Sequence, residues 1–415
     1  MRQVTGTAAP TLLRNEPRRR DPRTFQPFLK LGRLLAGIAP GRSPLPDGTP
    51  INLAVGDPQQ PAPALLSETI AAYPNGWSSY PPFRGTPEYQ QAAVDWLARR
   101  YGLPEGFIEG ERHVLPIPGS REGLFFAGLS ALSLGAAEGR DRVLLPAPGY
   151  HVYAGAAAAA GAEPVFVPAT RETGFLPDFA ALDPAILDRT AIAFVCAPSN
   201  PEGAAADLPR WRALLALARR HGFLLAADEC YAEIYFGEPP AGALQAALET
   251  GSLDNLLVFH SLSKRSNAAG LRCGFLAGDP GLVDAVEAFC RFGGASVALP
   301  VLQAGAALWN DDGHAAVNRA FYANLFERAE ATIGGRFGWS KPDGGFFLWL
   351  QVGDDEAAAV RLWREAGIRT LPGSYMVADT TLQPNPAAGF LRVAMVFDET
   401  VTVPALERLV EVLDG

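Results

Sequence analysis

Lys264 is the residue around which chemistry can be built. It follows the apolar run Leu256-Leu257-Val258-Phe259, which reads as a short buried strand. The lysine sits in the small polar loop Ser261-Leu262-Ser263-Lys264-Arg265. In open α/β sheets, ligands gather outside the carboxyl ends of the strands. A lysine just past such an end therefore faces a site rather than bulk water. Partial desolvation lowers the pKa of an amine, so some of it is neutral and can attack a carbonyl. Ser261 and Ser263 precede the lysine, and the fixed cation Arg272 follows it. Two hydroxyls and a guanidinium around a nucleophilic amine suit a phosphate held beside a Schiff-base lysine. By itself a lysine is far more often a solvated surface charge.

A second strand end changes that balance. Phe223-Leu224-Leu225-Ala226-Ala227-Asp228 is apolar and closes on an acid, and Tyr231 follows three residues later. An Asp in this place suits a helix N-cap, a metal ligand, or the partner of a pyridinium nitrogen. A Schiff-base lysine with an Asp partner is the general sign of a pyridoxal phosphate site.

The elements that must position these residues repeat one pattern, a short apolar strand followed by a turn. Ile51-Asn52-Leu53-Ala54-Val55 ends at Gly56. Val114-Leu115-Pro116-Ile117 runs through Gly119-Ser120-Arg121 into a helical stretch. Free N–H groups at such a helix start suit a phosphate, although Ser is also an ordinary cap. Arg142 to Pro146 leads to Tyr150, an aromatic face that could carry a flat heterocycle or simply pack. Thr190 to Cys196 leads to Asn200-Pro201-Glu202-Gly203, a turn. Phe390-Leu391-Arg392-Val393-Ala394 is an apolar strand with one arginine in its middle. A buried Arg needs a partner, and a bidentate carboxylate fits its fork, whether from the chain or from a substrate.

Asp228-x-x-Tyr231 with Ser261-x-Ser263-Lys264 and Arg272 resembles the fold type I, class I/II aminotransferases, over nearly the whole chain from about Asn52. The wording of Pro118-Gly119-Ser120-Arg121-Glu122, of Asp228 to Phe236, of Ser261 to Asn267 and of Leu371-Pro372-Gly373-Ser374-Tyr375 is similar to the proteobacterial-type succinyldiaminopimelate aminotransferases within that family. The resemblance implies pyridoxal 5′-phosphate as cofactor and Lys264 as the residue that holds it and moves the substrate's α-proton. It implies Asp228 on the pyridine nitrogen, Tyr231 and Asn200 on the ring oxygen, and Tyr150 against the ring. It places Gly119, Ser120, Arg121, Ser261, Ser263 and Arg272 at the phosphate. Tyr80, from Ser79-Tyr80-Pro81-Pro82, would reach the phosphate of a neighbouring subunit, which implies a homodimer with shared sites. Gly56, Asn200 and Arg392 would meet the substrate carboxylate. The reaction implied is transfer between glutamate/2-oxoglutarate and an N-succinylated diaminopimelate substrate, in lysine and cell-wall precursor synthesis. Arg84 and Arg265 are the cations expected for a distal carboxylate. Arg84 and Glu202 depart from the family's usual residues, Glu202 standing where Thr is common.

Composition bounds the rest. The chain has 415 residues, 48% hydrophobic and 19% charged, ample for a large core. Net charge is −9, which favours neither nucleic acid nor an anionic membrane as partner. Cys196, Cys230, Cys273 and Cys290 read as small buried hydrophobes in a reducing cytosol, and the five histidines show no metal-ligand spacing. Residues 1 to about 24, with Arg18-Arg19-Arg20, read as a solvated basic tail without the apolar core of a signal peptide. Strands alternating with helical stretches from about 112 to 278 predict an α/β fold with a mostly parallel, seven-stranded type of sheet. A smaller α+β domain, built from both chain ends, is expected beside it: 25–75 and 301–415, around a cofactor-binding domain at 76–300. An aminotransferase of another amino acid (aspartate, alanine or aromatic) is the near rival, and two rivals of other classes share these residues. A C–S β-lyase would use the same lysine and release pyruvate and ammonia without an oxo-acid acceptor. A binding module that keeps the fold would have no use for Lys264, Asp228 and Arg392 together.

Overall fold

The computed structural model describes residues 26–377 and 382–415. The basic stretch 1–24 lies outside the described residues. The strands are β1 (Ile51–Asn52), β2 (Val114–Ile117), β3 (Arg142–Ala147), β4 (Glu163–Pro168), β5 (Thr190–Cys196), β6 (Leu224–Asp228), β7 (Leu256–Ser261), β8 (Gly274–Gly278), β9 (Phe347–Gln351), β10 (Ile368–Arg369), β11 (Leu371–Pro372) and β12 (Phe390–Ala394). Seven of them form one sheet in the order β2-β8-β7-β6-β5-β3-β4. All its pairings are parallel except those of β8, which runs antiparallel to both β2 and β7. The fold is thus α/β with a mostly parallel seven-stranded sheet.

β5, β6 and β7 are buried at every residue. Near-continuous apolar runs are what a parallel sheet covered on both faces requires. Side chains alternate across that sheet into two cores. Leu224, Ala226, Leu257 and Phe259 belong to one, which includes Leu124 and Ala127 of the helix Ser120–Gly135. Leu225, Ala227, Leu256 and Val258 belong to the other, under Trp211 and Leu214 of the helix Leu208–His221. The alanine-rich run at 156–160 lies in the helix Val152–Ala160.

Register sets the site. Cys196 pairs with Asp228, and Asp228 pairs with Phe259, two residues before Ser261. The ends of β5, β6 and β7 therefore open on one edge of the sheet. Beyond Pro280 come the helices Pro280–Gly293, Leu299–Asn310 and Gly313–Ile333. A three-stranded antiparallel sheet, β11-β12-β9, follows, with Arg392 opposite Trp349 and Leu371. The early strand β1 pairs in parallel with β10 near the far end of the chain. Leu53 continues that bridge, donating to the Arg369 carbonyl at 2.8 Å and accepting from Ala394 N–H at 2.8 Å. These bonds fix the Ala54–Gly56 backbone against β12. The helix Pro27–Leu34 buries Leu31 in a cluster with Trp349 and Leu371.

Candidate active site

A cavity of about 410 Å³ opens at the sheet edge, lined by Lys264, Asp228, Tyr231, Asn200, Tyr150, Arg272 and Arg392, together with Gly56, Ser120, Arg121, Ser261 and Ser263. The sequence had spread these residues over more than 330 positions.

Lys264 sits not in an open loop but in the four-residue helix Leu262–Arg265. Ser261 starts it, its Oγ accepting from Ser263 N–H at 3.2 Å. Asn318, from the helix Gly313–Ile333, closes it by donating to the carbonyls of Lys264 at 2.8 Å and Arg265 at 3.2 Å. Asn318 carries no sequence signal, because its partner lies 54 residues away. Lys264 Nζ donates to the Gly56 carbonyl at 2.5 Å and lies 5.1 Å from the Phe346 ring centroid. Burial lowers its pKa to about 8, helped by Arg392 and Arg121 and opposed by Cys230 and Asp57. Gly56 must be a glycine here, since a Cβ would stand 2.5 Å from the Phe347 ring.

Asp228 is 2% exposed. Its Oδ2 accepts from Tyr153 OH at 2.7 Å and its Oδ1 from Cys230 N–H at 3.3 Å. Burial pushes its carboxyl above the ordinary range, and these hydrogen bonds pull it back. Tyr153 stacks on Phe194 with centroids 4.7 Å apart. Sequence reasoning missed Tyr153, whose position three after Tyr150 resembles ordinary core packing. Tyr231 is buried, edge-on to Phe346 and Phe347. Tyr150 keeps its OH on Arg121 Nε at 2.8 Å. Cys196, Cys273 and Cys290 are buried, but Cys230 is half-buried and, with Cys196, lines the cavity.

At the next corner, Ser261 Oγ donates to Ser263 Oγ at 3.0 Å. Arg272 stands over Gly119, where a Cβ would come within 2.6 Å of Nη2. Gly119 does not offer its own N–H, which goes to the Ile117 carbonyl at 2.7 Å. Its part is to keep the space clear, while the N–H groups of Ser120 and Arg121 begin a helix and have no intrahelical acceptor.

Arg392 is 5% exposed and makes no ion pair among the described residues. Nη1 donates to Asn200 Oδ1 at 2.9 Å, Nη2 to the Ala54 carbonyl at 2.7 Å, and Nε is buried with no partner among the described residues. Desolvation lowers its pKa to about 10. The structural ion pair left open by the sequence is absent among the described residues.

Three expectations need correction or completion. Arg84 does not reach the cavity: it pairs with Asp284 and, at 2.6 Å, with Glu287. Arg265 is buried away from it, donating to the Leu308 carbonyl at 2.7 Å and Asp312 at 2.7 Å. Neither lines this cavity, and both are paired with carboxylates of the chain itself. Glu202 turns inward, its Oε2 accepting from Ser199 Oγ at 2.9 Å while Oε1 has no partner among the described residues. Burial raises its pKa to about 8. Tyr80 is fully exposed and does not line its own cavity.

The residues present fit the cofactor expected from the sequence. The cavity brings together a desolvated amine, a buried carboxylate for a ring nitrogen, and a corner of hydroxyls, helix N–H groups and one guanidinium for a phosphate.

The family model for aminotransferase class I and II matches residues 49–409. The 4-dedimethylamino-4-oxo-anhydrotetracycline transaminase OxyQ of Streptomyces rimosus is 35% identical over 331 residues, covering 80% of this chain and 86% of that protein. The LL-diaminopimelate aminotransferase of Desulforudis audaxviator is 32% identical over 372 residues, covering 86% and 89%. Among solved structures, an aminotransferase from Neisseria meningitidis superposes with a TM-score of 0.86 at 36% identity, covering 93% of this chain and 97% of that one.

Proposed function

The chain belongs to the class I and II aminotransferases, and on that premise we propose that it moves an amino group between glutamate/2-oxoglutarate and a diaminopimelate-type substrate, in its N-succinylated form. Enzymes of this class use pyridoxal 5′-phosphate, and this chain is one of them. When bound, the cofactor supplies an electron-poor ring that takes up the electron pair left as the substrate's Cα–H bond breaks.

The chain's own residues do the rest. Lys264 holds the cofactor and is the base that takes the proton from Cα; a pKa near 8 puts a useful fraction of neutral amine at working pH. Asp228 keeps the ring nitrogen charged, and Tyr153 keeps Asp228 aimed. Tyr231 and Asn200, which line the same cavity, would hold the ring oxygen. Arg392, which makes no ion pair among the described residues, is the cation for the α-carboxylate and would so fix how the substrate's Cα is turned.

The single observation that carries the substrate class is the placing of cations in the cavity. With Lys264, Arg272 and Arg392 assigned, Arg121 remains, its Nε on Tyr150 OH and no carboxylate paired with it among the described residues. We assign it to the substrate's distal carboxylate, the place the sequence had given to Arg84 and Arg265. LL-diaminopimelate itself is the second reading, supported by the relative from Desulforudis audaxviator.

Tyr80, fully exposed beside half-exposed Tyr73 and exposed Trp77, belongs at a second copy of the chain, so the working unit is a homodimer. The cytosol is the proposed location: four cysteines stand without a disulfide, and no helix among the described residues is long and apolar enough to cross a membrane.

The test is glutamate formation from 2-oxoglutarate with N-succinyl-LL-diaminopimelate, LL-diaminopimelate, aspartate, alanine or tyrosine as donor. The succinylated donor should give the highest kcat/KM. A clear preference for LL-diaminopimelate would select the second reading, and preference for a neutral donor would overturn both.

A further inference from the structure

Arg272 is held on two sides. Its Nη1 donates to the Ala269 carbonyl at 3.0 Å, and its Nη2 donates to both carboxylate oxygens of Glu122, at 2.9 and 2.7 Å. With Nη1 on a backbone carbonyl, the edge left for a two-pronged grip on phosphate is Nε with Nη2. Glu122 already sits on half of that edge. The guanidinium is nearly half exposed, and these two partners are what hold it at the cavity. Its backbone is left-handed, at φ 56°, and Gly119 lies directly beneath Nη2. Glu122 also occupies the first turn of the helix Ser120–Gly135. An anion is favoured there by the helix N-terminus, which is the feature a phosphate would use. Both side chains line the cavity.

We infer that Glu122 and the cofactor's phosphate compete for Arg272 and for this helix end, so that the Glu122 carboxylate sets how tightly the cofactor is retained. The inference rests on the assignment of Arg272 to the phosphate. A phosphate ester carries nearly two negative charges near neutral pH, against one for a carboxylate. It therefore wins the exchange, but against a like charge only a few ångströms away. Glu122 is a brake on cofactor affinity and eases cofactor release. It takes no part in the proton transfer.

The experiment is a binding titration of the cofactor-stripped full chain, read by quenching of tryptophan fluorescence. The probes are pyridoxal 5′-phosphate and pyridoxal, which lacks the phosphate. Glu122→Gln keeps the side chain's size and removes its charge. It should tighten binding of the phosphorylated probe about tenfold, the size of one near-surface like-charge repulsion, and slow its release. Pyridoxal affinity should not change. Arg272→Ala should weaken only the phosphorylated probe, and in the double variant the gain from Glu122→Gln should shrink to the part that direct repulsion and the shared helix end supply. If Glu122→Gln weakens the phosphorylated probe, Glu122 is a support for Arg272 and the inference falls. Equal tightening of both probes also overturns it. If Arg272→Ala leaves the phosphorylated probe's affinity unchanged, the phosphate assignment itself fails, and that result is read independently of Glu122.

Discussion

The cavity has two unlike walls. At the ends of β6 and β7 the polar groups have partners within the chain: Asp228 has Tyr153 and the Cys230 N–H, Ser261 has Ser263, and the Lys264 carbonyl has Asn318. Across from them, Arg392 is almost as deeply buried as Asp228, yet its Nε has no partner and it makes no ion pair among the described residues. Leaving a buried donor unpaired costs about 1–3 kcal/mol. A buried guanidinium without a carboxylate is also a place where an anionic ligand would supply the counter-charge. On the proposed reading, the first wall holds one guest in one pose and the second receives anions that come and go.

Changes to the first wall should abolish chemistry, and changes to the second should alter choice of substrate. The largest effect is expected from Lys264→Ala, which removes both the attachment point and the base. Its turnover should fall by at least about 10⁴-fold, measured as glutamate formed from 2-oxoglutarate, with the protein still folded by circular dichroism. Next comes Arg392→Lys, which keeps a charge but loses the fork. We expect kcat/KM to fall about 100-fold for every amino donor. A loss confined to dicarboxylic donors would contradict the α-carboxylate assignment. Arg121→Met should discriminate where Arg392→Lys does not. It should cost dicarboxylic substrates about tenfold or more in KM while alanine changes less, as seen by comparing Michaelis curves for the two donors.

The wall-to-wall contrast was only half legible in the sequence. Strand ends were legible because an apolar run closing on Asp228, or just before Ser261, is local. The mostly parallel sheet followed from strands alternating with helices, but not its strand order. Tyr153 was not legible, because a tyrosine inside an apolar helix looks the same whether its OH meets a carboxylate or a carbonyl. Arg84 and Arg265 misled for a related reason. Their charges suited a distal carboxylate, but their partners, Glu287 and Asp312, stand 203 and 47 residues away. Whether an arginine is spoken for is settled only by tertiary packing. Arg121 was visible but was assigned wholly to the phosphate loop, with nothing local to show that its side chain would reach Tyr150.

Glu202 gives the smallest predicted effect and sharpens the contrast at its edge. It is a buried acid two residues from Asn200, whose amide oxygen holds Arg392. Its pKa is raised to about 8 in the folded chain, against about 4.3 unfolded. Between those values the folded state binds more protons, so this group's contribution is fully present below about pH 4.3 and is lost as pH rises through 8. Glu202→Gln should therefore stabilise the protein by a few degrees near pH 8–9, with the gain disappearing at pH 4. Thermal melts across that range check it.

The most direct test of the two-wall account is the visible spectrum of the holoprotein during a half-reaction. Wild-type protein should be yellow and should bleach with L-glutamate and with N-succinyl-LL-diaminopimelate. Arg392→Lys should stay yellow at the same donor concentrations yet bleach when they are raised about 100-fold, because its first wall is intact. A variant that loses the yellow band altogether, or one that bleaches as readily as wild type, would contradict the division between a fixed wall and an open one.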